Sequence, residues 1–222
     1  MRSHRVEDVS RRQFLKRAVI VAAALPVLPL GCAATRSSEA TGRAREETRR
    51  APGREWAGAA DGPPDPSWQT TMVSADEPGE PLVLAGTIFQ PDGVTPARGI
   101  TLYVYHTDAR GYYSDEQAAG QPPQPRLRGW MRTGDDGRYE FRTIKPGGYP
   151  GRLDPVHIHT TLSGPGYEEY WIDSYWFEGD PRVTADYRAR LSGRGGSNPI
   201  IALKRDDRGV LRGVRDIRLE RV

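Results

Sequence analysis

Short apolar runs separated by turn residues dominate the sequence after about residue 70 and constrain its fold most. The runs are rich in β-branched and aromatic residues, and Gly, Pro and Asp bound them. They predict about eight strands: 82–89, 100–106, 127–133, 138–144, 156–162, 170–177, 200–204 and 210–219. The 25 glycines and 19 prolines exclude a helical bundle, and only 181–191 could hold a short helix. The fold class predicted for residues 70–222 is therefore an all-β sandwich.

The first 32 residues resemble an export signal. A twin-arginine pattern, SRRQFLK, is followed by an apolar run over 18–30 that is too short, and too interrupted by Pro26 and Pro29, to span a membrane. Leu-Gly-Cys ending at Cys32 resembles the end of a bacterial lipobox, and plain cleavage near Ala33 and Ala34 is the alternative. We expect an exported protein, either free outside the cytoplasm or anchored to the membrane through lipidated Cys32.

Charge and composition after the first 32 residues exclude some partners and predict a tether. The formal net charge of +3 comes from the leader, so the remainder is nearly neutral and lacks the basic face that a nucleic-acid partner requires. Residues 33–69 show no apolar periodicity and predict a disordered tether. A single cysteine excludes an intrachain disulfide.

His157 and His159 are the first candidates for chemistry. Residues two apart in a strand point to the same face, so both imidazoles could bind one metal ion. The alternative is a polar strand face. Apolar flanking residues, and the presence of only four histidines in the chain, favour the metal site.

Four motifs together resemble the intradiol ring-cleavage dioxygenases over about residues 83–181. They are a Gly-x-Tyr loop at Gly111, the run TIKPGGYP, the HIH pair and the run FEGDP. The resemblance implies a mononuclear ferric iron held by Tyr113, Tyr149, His157 and His159. Tyr112 competes with Tyr113 for the first position.

The same resemblance implies an activity. A catechol and O2 would be the small-molecule partners, and the ring would open between its two hydroxylated carbons to give a muconate-type diacid. Two phenolates would offset the charge of a hard ferric ion, and Tyr149 corresponds to the ligand that substrate displaces. A homo-oligomer is also an expectation. Tyr103, Tyr105, Tyr139 and Tyr170 are interpreted as packing residues.

Some positions depart from the family pattern. Asp154 stands where many members have an arginine, so Arg152 is the candidate for a catalytic guanidinium; its alternative is a solvated ion pair with Asp154. Ser174 stands where a glutamine is common. A non-catalytic transthyretin-like or carboxypeptidase-regulatory-like binding module is the alternative function, and the absence of a Gly-x-Ser-x-Gly motif argues against a hydrolase.

Overall fold

The computed structural model describes residues 58–115 and 125–221. The leader, Cys32 and most of the predicted tether lie outside these residues, so export and lipidation stay predictions. No helix in the described part of the chain is long and apolar enough to cross a membrane.

The described chain is almost entirely β-structure, which confirms the predicted fold class. A 3-10 turn covers Ala59–Asp61, and one short helix, α1, covers Ala185–Ala189 with Thr184 as its N-cap. The strands in chain order are β1 Gln69–Thr71, β2 Pro81–Phe89, β3 Thr101–His106, β4 Leu127–Arg132, β5 Arg138–Ile144, β6 His157–Gly164, β7 Tyr167–Trp171, β8 Tyr175–Phe177, β9 Ile200–Ile201, β10 Lys204–Arg205, β11 Leu211–Val214 and β12 Ile217–Arg218.

The strands form two six-stranded sheets. One has the order β1-β5-β2-β11-β10, with β12 also on β2, and the other has the order β4-β3-β6-β8-β9, with β7 also on β6. Leu84 and Phe141 of the first sheet and Leu102 and Ile158 of the second are fully buried in one shared core. The sheets therefore bury their inner faces against each other as a sandwich.

The outer face of the second sheet carries the site. On β6, Ile158 points into the core, so the period of two turns His157 and His159 to the other face. Tyr105 of β3 is directly opposite His159 in the antiparallel register. Both faces of β3 are covered, and all of its residues are buried.

The folded region begins earlier than residue 70. Trp130 Nε1 donates to the Gly58 carbonyl at 2.7 Å, and the backbone N–H of Arg132 donates to the Ser67 carbonyl at 3.0 Å. Residues 58–69 thus lie against the domain rather than forming a tether. Main-chain hydrogen bonds hold them, which is why apolar periodicity gave no signal.

Candidate metal centre

The histidine pair is fixed by hydrogen bonds at the start of β6. His157 Nδ1 donates to the Pro155 carbonyl at 2.7 Å, which leaves the lone pair of Nε2 pointing into the site. Asp180, from the FEGDP run, accepts from the Val156 backbone N–H at 2.7 Å. The motif therefore positions the chain immediately before His157.

Tyr113 lies in the loop after β3, which Asp108 organises. The Asp108 carboxylate accepts from the backbone N–H groups of Arg110 at 2.8 Å and Tyr112 at 3.0 Å, and from the Arg110 guanidinium. Burial would raise the pKa of Asp108, but these hydrogen bonds outweigh it and hold the pKa below its ordinary value. The carboxylate stays charged and keeps the loop closed.

Tyr149 lies in the loop between β5 and β6, which is joined to the Tyr113 loop by backbone contacts. The Gly147 N–H donates to the Asp108 carbonyl at 2.9 Å, and Thr107 Oγ1 donates to the Gly147 carbonyl at 2.8 Å. Gly111 has a φ of +91°, and a Cβ there would lie 2.0 Å from the Gly148 carbonyl oxygen. Only glycine permits this approach.

The loops and the strand bring four donor atoms together. Tyr113 Oη and Tyr149 Oη are in hydrogen-bond contact, and both hydroxyls lie near His159 Nε2, at 2.9 and 3.0 Å. His157 Nε2 lies 3.2 Å from Tyr149 Oη and 3.0 Å from His159 Nε2. Ligands about 2 Å from one first-row metal ion lie about 3 Å from each other, so the donor set fits such an ion.

The donor chemistry points away from a carboxylate or thiolate site. In the described residues no three His, Cys, Asp or Glu side chains are arranged to hold a metal ion. Burial raises the pKa of the Tyr113 and Tyr149 phenols and lowers the pKa of both imidazoles. All four groups are therefore neutral at pH 7 until a bound cation favours the phenolates, which are hard ligands suited to a hard cation.

A cavity of about 520 Å³ opens over the donor atoms. Its lining contains the four candidate ligands and, beside them, Tyr105, Gly111, Tyr112, Pro150, Arg152 and Asp154. The volume is typical of small-molecule sites. The cavity therefore has room for an organic substrate next to the donor atoms.

The structure separates Tyr113 from its competitor. Tyr113 is 8% exposed and its hydroxyl contacts Tyr149 and His159, whereas Tyr112 lines the cavity wall near the Arg110 guanidinium. The Gly-x-Tyr spacing therefore selected the tyrosine that points toward the histidine pair.

Arg152 combines parts of both of its interpretations. Its Nε donates to Asp154 Oδ2 at 2.7 Å, as expected for an ion pair; Arg152 is exposed and Asp154 is half-buried. Its guanidinium also lies over the Tyr149 ring, 5.1 Å from the centroid, at the cavity wall. Ser174 is half-buried and is not among the described residues that line the cavity.

The sequence reasoning missed several supporting residues. Tyr105, interpreted as packing, stacks on the His159 ring with centroids 4.6 Å apart and also lines the cavity. The sequence around Tyr105 does not predict this stacking, because the contact depends on the β3–β6 register. Thr107 and Asp108 were also missed, although their position before the Gly-x-Tyr loop is a usable signal.

Comparison with known proteins agrees with the fold and with the residue pattern. Residues 59–194, more than half of the chain, match the family described as Dioxygenase. The most similar sequences include catechol 1,2-dioxygenase 1 of Acinetobacter lwoffii, 33% identical over 131 residues, which are 52% of this chain and 42% of the relative. The protocatechuate 3,4-dioxygenase beta chain of Burkholderia cepacia is 34% identical over 139 residues, 58% of this chain and 59% of the relative. The chain belongs to the intradiol ring-cleavage dioxygenase family.

Solved structures show the same fold. The dioxygenase domain of a dioxygenase and carbohydrate-binding protein fusion from Streptomyces sp. SirexAA-E has a TM-score of 0.55 and 27% identity, over 72% of this chain and 93% of that one. Catechol 1,2-dioxygenase from Acinetobacter sp. ADP1 has a TM-score of 0.58 over 84% of each chain, at 21% identity. The chain spans about half the length of the curated relatives that it matches.

Proposed function

We propose that this protein is an intradiol dioxygenase that holds a ferric iron through Tyr113, Tyr149, His157 and His159. The reaction consumes one catechol and one O2, inserts both oxygen atoms and gives one muconate-type diacid. The observation that carries the proposal is the convergence of two phenols and two imidazoles under an open cavity. Held by these four residues, iron would supply the Lewis acidity that draws electron density from a catechol.

The residues of this chain have distinct tasks. The histidines come from a central strand and keep fixed positions, because β3 and β8 pair with β6 on either side. Tyr149 comes from a loop at the cavity wall, so as a phenolate it could leave the cluster, take a proton from a catechol hydroxyl and become the neutral phenol. Tyr105 stacks on His159 and keeps the imidazole plane fixed during that exchange.

The alternative of a non-catalytic sandwich module has less support. Such a module has no reason to bury two phenols against two imidazoles, because each neutral polar group must then find a partner within the cluster. The family match also covers the whole segment that carries the four residues.

The test combines metal analysis, visible absorption and oxygen consumption on the exported form of the protein purified with iron present. We expect one iron per chain, a tyrosinate-to-iron band that colours the protein red-brown, and oxygen uptake with catechol or hydroxyquinol that yields a ring-opened diacid. His157→Ala should lose the iron, whereas Tyr112→Phe, a matched control in the cavity wall, should keep both iron and colour. A colourless zinc protein, or iron-loaded protein that consumes no oxygen with any catechol, would refute the proposal.

We further propose that the leader directs export by the twin-arginine route, since this route carries folded, metal-loaded proteins. The support is the pattern at Arg11 and Arg12 followed by an apolar run. Changing both residues to Lys should retain the precursor in the cytoplasm, and unchanged export would refute the route. Cys32→Ser should release the protein from membranes if Cys32 is lipidated.

A further inference from the structure

The charges at the cavity wall bear on which catechols the site accepts. Among the described residues that line the cavity, Arg152 is the only basic residue besides the histidines and Asp154 is the only acidic one. They are paired at 2.7 Å, so their charges largely cancel toward the cavity. The other lining groups are aromatic rings, glycine, proline and the two imidazoles.

From this arrangement we infer that the site selects uncharged catechols with an apolar ring substituent and discriminates against catechols that carry a carboxylate. The inference rests on the proposed function, and it names the substrate class of the same site. A ring substituent that lies against the cavity wall gives up part of its water there. A carboxylate that loses water without gaining a cation is strongly disfavoured.

Arg152 is a poor partner for such a carboxylate. Its Nε is already bonded to Asp154, and its guanidinium is held against the Tyr149 ring. A substrate carboxylate that reached Arg152 would also come close to the Asp154 carboxylate, and two like charges at short range repel. Asp154 therefore pairs with the only arginine among the described residues that line the cavity.

An apolar substituent meets better surroundings. The rings of Tyr105 and Tyr112 and the ring of Pro150 line the cavity. A volume of about 520 Å³ lies within the range of cavities that bind drug-sized ligands, so it has room for a substituent beyond the catechol ring. Burying the substituent against these rings adds affinity that a charged group would forfeit.

The experiment uses two catechols that are similar in size and differ in charge: 4-methylcatechol and 3,4-dihydroxybenzoate. Iron-loaded protein is titrated with each without oxygen, so binding is read from the visible band and no turnover occurs. We expect 4-methylcatechol to bind at least about tenfold more tightly than 3,4-dihydroxybenzoate. Asp154→Asn should improve binding of 3,4-dihydroxybenzoate about fivefold, because it frees the Arg152 guanidinium to form an exposed ion pair with the carboxylate, and should change that of 4-methylcatechol by less than about twofold.

The double variant Asp154→Asn with Arg152→Gln is the matched control. It should lose the improvement, because the freed guanidinium is then absent. Asp154 is half-buried, and Arg182 donates to its backbone carbonyl rather than to its side chain, so the asparagine variant should fold normally. Equal or tighter binding of 3,4-dihydroxybenzoate to the unmodified protein, or an unchanged preference in Asp154→Asn, would overturn the inference and leave the proposed function standing. A visible band that responds to neither catechol would overturn the proposed function and the inference with it.

Discussion

Gly111→Ala should disrupt the centre through the contact between its two tyrosine loops. The added Cβ would lie 2.0 Å from the Gly148 carbonyl oxygen, whereas Cβ atoms essentially never approach closer than 3.0 Å. The two loops would have to separate by about 1 Å. Tyr149 follows Gly148 directly and Tyr113 lies two residues after Gly111, so the separation reaches their hydroxyls, and displacements of about 1 Å at a reacting centre cost about 10²-fold in rate.

The energetic cost has two parts that a control can separate. A non-glycine residue at a positive φ costs about 1–2 kcal/mol, and forced overpacking costs about 1–3 kcal/mol more. Gly166 has a φ of +80° with nothing within 4 Å of its Cβ position, so Gly166→Ala should show only the first part. We expect Gly111→Ala to destabilise the fold by about 2–5 kcal/mol and Gly166→Ala by about 1–2 kcal/mol.

Urea unfolding measures both free energies, and the visible band of the iron-loaded variants measures the site. Gly111→Ala should lose or shift the band, and Gly166→Ala should keep it. Equal destabilisation in the two variants, with an unchanged band in both, would show that the loops do not meet at Gly111 as the structure describes.

Three further predictions concern the surroundings of the site. Tyr113→Phe should abolish most of the visible band and weaken iron retention, while Tyr112→Phe should leave both intact; the reverse result would reassign the ligand. Thr107→Val leaves the Gly147 carbonyl without its donor and should lower the free energy of unfolding by about 1–3 kcal/mol, whereas Thr107→Ser keeps the hydroxyl and should cost much less; equal losses would refute the role of the hydrogen bond. Burial lowers the pKa of His106 to about 4, so the stability that it contributes is complete above its unfolded pKa of about 6.5 and is lost as pH falls toward 4. Urea unfolding at pH 7 and at pH 5 gives the free energy of unfolding that each protein loses between these pH values. This loss should be about 2 kcal/mol smaller in His106→Gln than in the unmodified protein, and an equal loss would contradict the prediction.

The strands that carry the site were readable from the sequence because their patterns are local. The β6 run alternates apolar and polar residues, and this places Ile158 inside and the histidines outside. The predicted single strand over 170–177 was wrong, because the chain leaves the sheet at 172–174 between β7 and β8. Asp173 causes the break: its buried carboxylate accepts backbone N–H groups of Ser192 and Gly193, which draws this segment toward a distant loop. The periodicity of the sequence does not reveal such a long-range contact.

The candidate ligands could be predicted from the sequence for a different reason. Spacing alone identified the histidine pair as a weak candidate, and family resemblance supplied both tyrosines. What the sequence did not contain was the mutual register of the two tyrosine loops, since that depends on Gly147 meeting Asp108 and on Gly111 meeting Gly148. These contacts join positions about 37–40 residues apart in sequence, and pairing of that kind is decided by the folded sandwich rather than by local preference.

The two halves of the donor set are held with different rigidity, and this difference fits the proposed exchange of a ligand. His157 and His159 belong to a strand with hydrogen-bonded neighbours on both sides, so moving them would break the sheet. Tyr113 is 8% exposed in a loop closed by a charged, buried carboxylate. Tyr149 is less constrained, because the chain after it runs through an exposed turn at Gly151 and Arg152. In the proposed reaction, the free-energy cost of displacing a ligand is therefore lowest at Tyr149, because rotating its side chain toward the open cavity breaks no main-chain hydrogen bond of the sheet.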